Sequence, residues 1–283
     1  MTKILLIGNG PNYFSGDYGW QDVIRYAARE VRMANLVEKL IKEPLPIVFE
    51  VIASRHPLKE RTIKNQLATK MRSMPPNEIH VRLMALKWPT VLTPNYDNCL
   101  ESASGERFVS ENLQRETTYS LFRRKKSTNS AICHIHGDLD GPRTMMLGLH
   151  QYAGYLQKLR RYLTTRAGGS RFVFGAAPWA PEDGRHSWVD LFLRHDVHIL
   201  GFGFDYAETA LWWLLGYKQR LRKIGRLPIG ATYYYQIGNH LSPDKRLAMM
   251  MGLGVTIRPI PSSTMYPSKA AWFKLIETLE KVR

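Results

Sequence analysis

The chain has 283 residues, 44% of them hydrophobic and 23% charged, a balance that can bury a sizeable core without covalent staples. Its two cysteines, Cys99 and Cys133, exclude a four-cysteine zinc module and a disulfide framework, and they fit a reducing compartment. Forty Lys and Arg against 24 Asp and Glu give a formal net charge of +16, a field that attracts polyanions, yet no helix-turn-helix, zinc finger or RNA-binding aromatic motif accompanies it.

The opening MTKILLIGNG has one lysine and a short apolar run without a cleavage-site pattern. No uncharged apolar stretch approaches a membrane span, so the chain reads as soluble and cytoplasmic. Residues 4–7, Ile-Leu-Leu-Ile, form a fully apolar run broken at Gly8-Asn9-Gly10-Pro11-Asn12, the pattern of a buried parallel strand entering a phosphate-type loop. A tight turn without a ligand is the plain structural alternative, because Tyr13 stands where a dinucleotide fingerprint has its third glycine. Trp20 to about Lys42 carries helical spacing. From Pro46 to Leu86 the pattern is mostly helical, with Ile63, Leu67 and Met71 four apart, a stop at Pro75-Pro76, and a new start at Ile79. This predicts a small helical insertion at about 44–88 within a single domain spanning 1–283.

TVLTPNYD (90–97) runs from a β-branched strand into a polar loop, and 103–130 reads as polar, basic and loop-rich. SAICHIHGD (130–138) predicts another strand and loop, and Tyr152 to about Thr165 a basic helix. Residues 166–186 read as a long loop or lid. VHILGFGFD (197–205) repeats the theme of an apolar strand ending in glycines. A helix with Leu211, Leu214, Leu215 and Leu221 follows, then strands at 231–237 and 254–260, and a last helix at roughly 268–281. Strands alternating with helices predict an α/β fold with a parallel sheet. In such a sheet the strand ends GNGPN, TPNYD, HIHGD and GFGFD converge on one crevice.

These four turns, in this order, resemble the sirtuin-like domain of bacterial antiphage NAD+ hydrolases, a family that often shows T-T-N-Y-D where this chain has TPNYD. NEIHVRLMALKW (77–88), TMMLGLHQY (144–152) and ALWWLL (210–215) look similar to that family as well. The resemblance implies a Rossmann-like, sirtuin-type (DHS-like) sheet with helices on both faces. It implies that Gly8, Asn9, Gly10 and Asn12 line the pyrophosphate and ribose of NAD+. Asn95 would hold the nicotinamide-side ribose and the attacking water, Asp97 would brace that loop, and His136 would act as general base. Gly201 and Gly203 would let the backbone approach the adenosine half, and Asp205 would accept from a ribose hydroxyl. Thr93, Tyr96, Gly137 and Phe202 complete the expected nucleotide contacts. The chain departs from the family at Gly203, where many relatives have Ser, at Tyr206, where they have Asp, and at Pro94, which replaces the second Thr.

The residue types suit the chemistry. An amide accepts and donates at once and so fixes the direction of a hydroxyl or water, and a histidine titrates near neutrality. The implied activity is hydrolysis of NAD+ to nicotinamide and ADP-ribose, with NAD+ as substrate and no resident cofactor, in an antiphage effector that depletes the cell's NAD+. Deacylation, the other sirtuin chemistry, goes with the zinc module that two cysteines cannot build. The expected partners are copies of the chain itself and a separate sensor such as a hexameric DNA-translocating ATPase or helicase, because the sequence is little longer than a catalytic domain. Nucleic acid could meet the basic faces, and no membrane is expected. Two other readings stay open. One is a non-catalytic nucleotide-binding or nucleic-acid-associated assembly subunit. The other is a metal-dependent hydrolase using His134, His136 and Asp138, since H-x-H-x-D resembles the metal-binding stretch of metallo-β-lactamase-like hydrolases, although Leu139 stands where those have a further His.

Overall fold

The computed structural model describes residues 3–16, 19–111, 118–164, 186–225, 228–238, 244–262 and 267–282. Eight strands, including β3 (Val109–Glu111) and β4 (Arg124–Lys126), form one sheet in the order β3-β4-β5-β2-β1-β6-β7-β8. Six of them run parallel: β1 (Lys3–Ile7), β2 (Thr90–Thr93), β5 (Ala131–His134), β6 (Asp196–Leu200), β7 (Thr232–Ile237) and β8 (Thr256–Ile260). From β1 the chain moves one way to β2 and β5, then returns to β1's other side to lay down β6, β7 and β8. The order reverses at β1, so the loops after β1, β2 and β6 lie at the kind of switch point where open α/β sheets bind ligands. This is the α/β, mostly parallel sheet that the alternation predicts, with the Rossmann-like form that the resemblance implies.

Alternation along each central strand divides the core into layers. Ile4 and Leu6 of β1, Leu92 of β2, and Val197 and Ile199 of β6 pack with α7 (Leu149–Thr164), α8 (Trp188–Arg194) and α9 (Thr209–Ile224). Leu5 and Ile7, Val91 and Leu200 turn to the other face, against α5 (Glu78–Ala85), α6 (Cys99–Ser104) and α11 (Lys269–Val282). Each such side chain contributes about 1.5–3 kcal/mol by leaving water, which is why these strands read as unbroken apolar runs.

A third cluster joins α1 (Trp20–Glu30), α2 (Ala34–Leu40), α3 (Leu45–Arg55) and α4 (Glu60–Arg72) to Tyr96, Met145 and Leu147 from the strand-end loops. The helix expected over 20–42 is two helices, broken where Arg32 takes a left-handed φ of 59°. The stretch 103–130, expected to be loop, supplies β3 (Val109–Glu111) and β4 (Arg124–Lys126), an antiparallel ribbon along the edge of β5. α8 and α10 (Lys245–Gly252) were likewise not anticipated. All but the last residue of the lid expected at 166–186 lies outside the described residues. Among the described residues no helix is long and apolar enough to cross a membrane.

Candidate active site

The loops after β1 and β6 are built against each other. Gly8 N–H donates to Leu200 O at 2.9 Å and Gly10 N–H to Gly201 O at 2.8 Å. A Cβ on Gly8 would stand 2.6 Å from both Gly201 O and Phe202 Cα, and one on Gly10 2.8 Å from Gly201 Cα. These glycines therefore admit the neighbouring backbone of the turn after β6. Gly203 differs: it is exposed and a Cβ there would meet nothing within 4 Å among the described residues.

Asn12 is the hub of the first loop. It is 1% exposed. Its Nδ2 donates to Asn9 Oδ1 at 2.7 Å and to Asp97 Oδ2 at 2.8 Å, which uses both amide protons. Its Oδ1 lies 2.9 Å from His80 Nε2. His80 Nδ1 accepts from Asn77 N–H at 3.1 Å, so Nε2 carries the ring proton and donates to Asn12. Burial lowers the His80 pKa against the raising pull of Asp97, and the ring is neutral. Asn77 caps α5 and donates to Pro11 O and Ser15 Oγ, both at 2.8 Å, pinning the same loop from outside. Asn12, expected at the nucleotide, organises the loop through these contacts, and Asn77 and His80, within the NEIHVRLMALKW stretch, had no role assigned from the sequence.

The second loop hangs from β2. Thr93 Oγ1 donates to Ile7 O at 2.9 Å and accepts from Asn95 N–H at 3.1 Å. Asn95 Nδ2 donates to Gly8 O at 3.2 Å, leaving Oδ1 as an acceptor with no partner among the described residues. Asp97 Oδ1 accepts from Cys99 N–H at 3.0 Å, while its other oxygen holds Asn12. Tyr96 is buried and its hydroxyl donates to Met146 O at 2.5 Å. Thr93 and Tyr96, expected among the nucleotide contacts, have their hydroxyls engaged inside the protein and act as struts.

β5 ends at His134, so His134 and His136 do not share a strand face. His134 Nδ1 lies 2.7 Å from Asn95 O, and Nε2 2.7 Å from Glu101 Oε1. Both ring nitrogens face acceptors, which calls for a proton on each. Burial opposes the cation, but the charge and hydrogen bond of Glu101 outweigh it and raise the pKa. Lys125 of β4 completes the group, 2.7 Å from Asn98 Oδ1 and 2.9 Å from Asp140 Oδ2. His134 thus grips the backbone of the Asn95 loop. Asp138 folds back on its own chain, accepting from Asp140 N–H at 2.7 Å. Among the described residues no three His, Cys, Asp or Glu side chains form a group that could hold a metal ion, so the H-x-H-x-D spacing does not make one.

His136 is 2% exposed and lies edge-on to Tyr152 and Tyr155. Burial pushes its pKa down to about 3. Its carbonyl accepts from Met146 N–H at 2.9 Å, so Met146 bridges it to Tyr96 and the Asn95 loop. Gly137 has φ +100°, and a Cβ there would fall 2.6 Å from Met145 N, so only glycine fits. Glu208, to which the sequence analysis assigned no role, stands with Oε2 3.4 Å from His136 Nε2 and Oε1 3.5 Å from Tyr152 Oη. Burial, then the nearby Asp205 charge, pushes its pKa up to about 8. The two are a neutral acid and a neutral imidazole near pH 7, despite a spacing that would suit an ion pair.

On the β6 side, Asp205 is exposed and Oδ1 accepts from Ala207 N–H at 2.8 Å. Phe202, expected at the nucleotide, turns into the core beside Phe204, with ring centroids 4.9 Å apart, and its carbonyl accepts from Tyr234 Oη at 2.9 Å. Arg246, oriented by Asp244, reaches Gly203 O at 2.8 Å. Of the basic clusters, FRRKK is largely internal, with Arg123 and Lys125 buried and Arg124 on Glu111 at 2.7 Å. Lys158, Arg160 and Arg161 on α7, and Arg222 and Lys223 on α9, are exposed.

Residues 89–177 match a family model described as a SIR2-like domain. The matched stretch contains Asn95, Asp97, His134 and His136, while the loops after β1 and β6 lie outside it. The match supports a sirtuin-like family and an NAD-related activity. No curated protein matches the chain.

Proposed function

We propose that the chain hydrolyses NAD+ at the nicotinamide–ribose bond and acts as an antiphage effector that depletes the cell's NAD+. The observation that carries this reading is Asn95. Its amide is anchored by Nδ2 to Gly8 O at the point where the sheet order reverses, with Oδ1 left to accept. A hydroxyl or water donating to Oδ1 would have its oxygen aimed in one direction, which is the positioning that cleavage through an oxocarbenium-like centre requires. The C–N electron pair leaves with nicotinamide, which is neutral once released. Water adds to the ribose carbon and its proton passes to His136, two residues beyond the end of β5. Exposed Gly203 and Asp205 stand at the β6 end for the adenosine half.

The test is release of nicotinamide from NAD+ by the purified chain, with and without DNA, beside Asn95→Ala and His136→Ala. Loss of turnover in both folded variants is expected. Equal turnover in all three proteins refutes the assignment. We further propose that the chain works as a homo-oligomer under a separate sensor such as a hexameric ATPase. The exposed cations of α7 and α9 favour a second reading, a nucleotide-binding subunit that docks nucleic acid. Binding of DNA and NAD+ without turnover under any of these conditions would select it.

A further inference from the structure

Glu208 occupies a place that the fold does not ask of it. Its backbone is fixed at the N-cap of α9, where Glu208 N–H donates to Asp205 O and its own carbonyl receives Leu211 and Trp212 N–H, each at 3.0 Å. A glutamate there can extend into water. This one turns inward and is 9% exposed. Oε2 and His136 Nε2 are both buried without a hydrogen-bond partner among the described residues, and they stand 3.4 Å apart. Leaving two such atoms unsatisfied is costly, so their approach marks a built pair that closes when either gains or gives a proton. The titratable groups facing the pair are Asp205 on the same turn, Tyr152 and Tyr155 on α7, and Tyr96 after β2. Asp205 adds negative charge, and the three tyrosines are buried phenols held well above their usual range, chiefly by that burial.

We propose that Glu208 is the positioning residue of the base, holding the His136 ring by Nε2 and receiving its proton as the opposite ring nitrogen takes one from the attacking water. This deepens the hydrolase reading and rests on it. With Glu208 ionised, His136 carries its proton on Nε2. As water adds to the ribose carbon and the C–N pair leaves with nicotinamide, the water proton moves to the ring nitrogen away from Glu208 and the Nε2 proton moves to the carboxylate. With Glu208 protonated, the carboxyl donates to Nε2 and the ring proton sits on the opposite nitrogen, which then cannot accept. The pair is a base only when it has lost that shared proton, so it titrates as a unit. The carboxyl's raised pKa of about 8 puts that loss above the ordinary histidine range.

The experiment is the pH profile of NAD+ turnover for wild type, Glu208→Gln and Glu208→Asp, together with ring-nitrogen NMR of His136 in the substrate-free proteins. Glu208→Gln keeps the shape of the side chain and its melting temperature reports folding. The expected result is a wild-type limb rising toward pH 8, a kcat lower by roughly 100-fold in Glu208→Gln with KM within about twofold and the limb gone, and partial rescue in Glu208→Asp. The NMR should show a His136 titration in wild type that Glu208→Gln abolishes. Turnover with a limb and an NMR titration untouched by Glu208→Gln overturns the pair and leaves the hydrolase reading intact. No turnover in wild type overturns the hydrolase reading and the relay with it, and the NMR then decides separately whether the two groups share a proton.

Discussion

Replacing Glu101 by Gln tests whether a charged imidazole holds the Asn95 loop. In the native protein His134 sits between Glu101 Oε1 and Asn95 O, each 2.7 Å away, in a fully buried position. If the cation had to remain without its carboxylate, the loss would be about 3–5 kcal/mol. The ring has an easier course: it gives up the Nε2 proton, keeps Nδ1–H on Asn95 O, and the loss falls to that of one charge-assisted hydrogen bond, about 1.5–3 kcal/mol. The sign with pH follows from the raised pKa. The folded state binds the His134 proton more tightly than the unfolded state, whose value is near 6.5. The stabilisation is therefore fully present below that value and is lost as pH rises through the folded one. Urea denaturation of wild type and Glu101→Gln at pH about 5.5, 7 and 9 measures the gap. It should be widest at the acid end and close toward the alkaline end. A gap that is flat, or that widens with pH, would mean that His134 is neutral in the fold and that the grip on Asn95 is not electrostatic.

Asn12→Ala strands the Asp97 carboxylate oxygen and His80 Nε2 in the interior; urea denaturation should show a loss of about 2–4 kcal/mol. Gly8→Ala drives a methyl into Gly201 O and Phe202 Cα, both backbone at 2.6 Å, and should lower stability by about 1–3 kcal/mol, read by thermal denaturation. Burial raises both thiol pKa values, that of Cys133 to about 12; the native protein should therefore react slowly with a thiol reagent at pH 8 and quickly once denatured.

The central strands were legible because they are apolar runs ended by glycine or polar turns, and burial on both faces demands that composition. β4 was not legible, because Arg-Lys-Lys has no apolar alternation. Its place comes from pairing with β5 and from Lys125 finding Asp140 and Asn98. The Asn95 and His136 loops were legible as strand ends. Their supports were not: His80, Glu101 and Glu208 reach in from α5, α6 and the start of α9, and nothing local in the sequence announces a contact made across the fold. The internal contacts of Asn12, Thr93, Tyr96 and Phe202 were equally hidden, since a polar or aromatic residue at a strand end reads alike whether it meets a nucleotide or a neighbouring loop.

The interlock of Gly8 and Gly10 with the turn after β6 fixes when the site can exist. A growing chain completes β1, β2 and β5 and carries both Asn95 and His136 well before β6 has been made. Until then Gly8 lacks the Leu200 carbonyl that seats it, the carbonyl that Asn95 leans on has no fixed place, and Glu208 is absent. Pairing strands so distant in sequence is intrinsically slow. A nascent or truncated chain therefore holds the two residues without the framework that fixes them, and assembly of the sheet is itself the step that completes their arrangement.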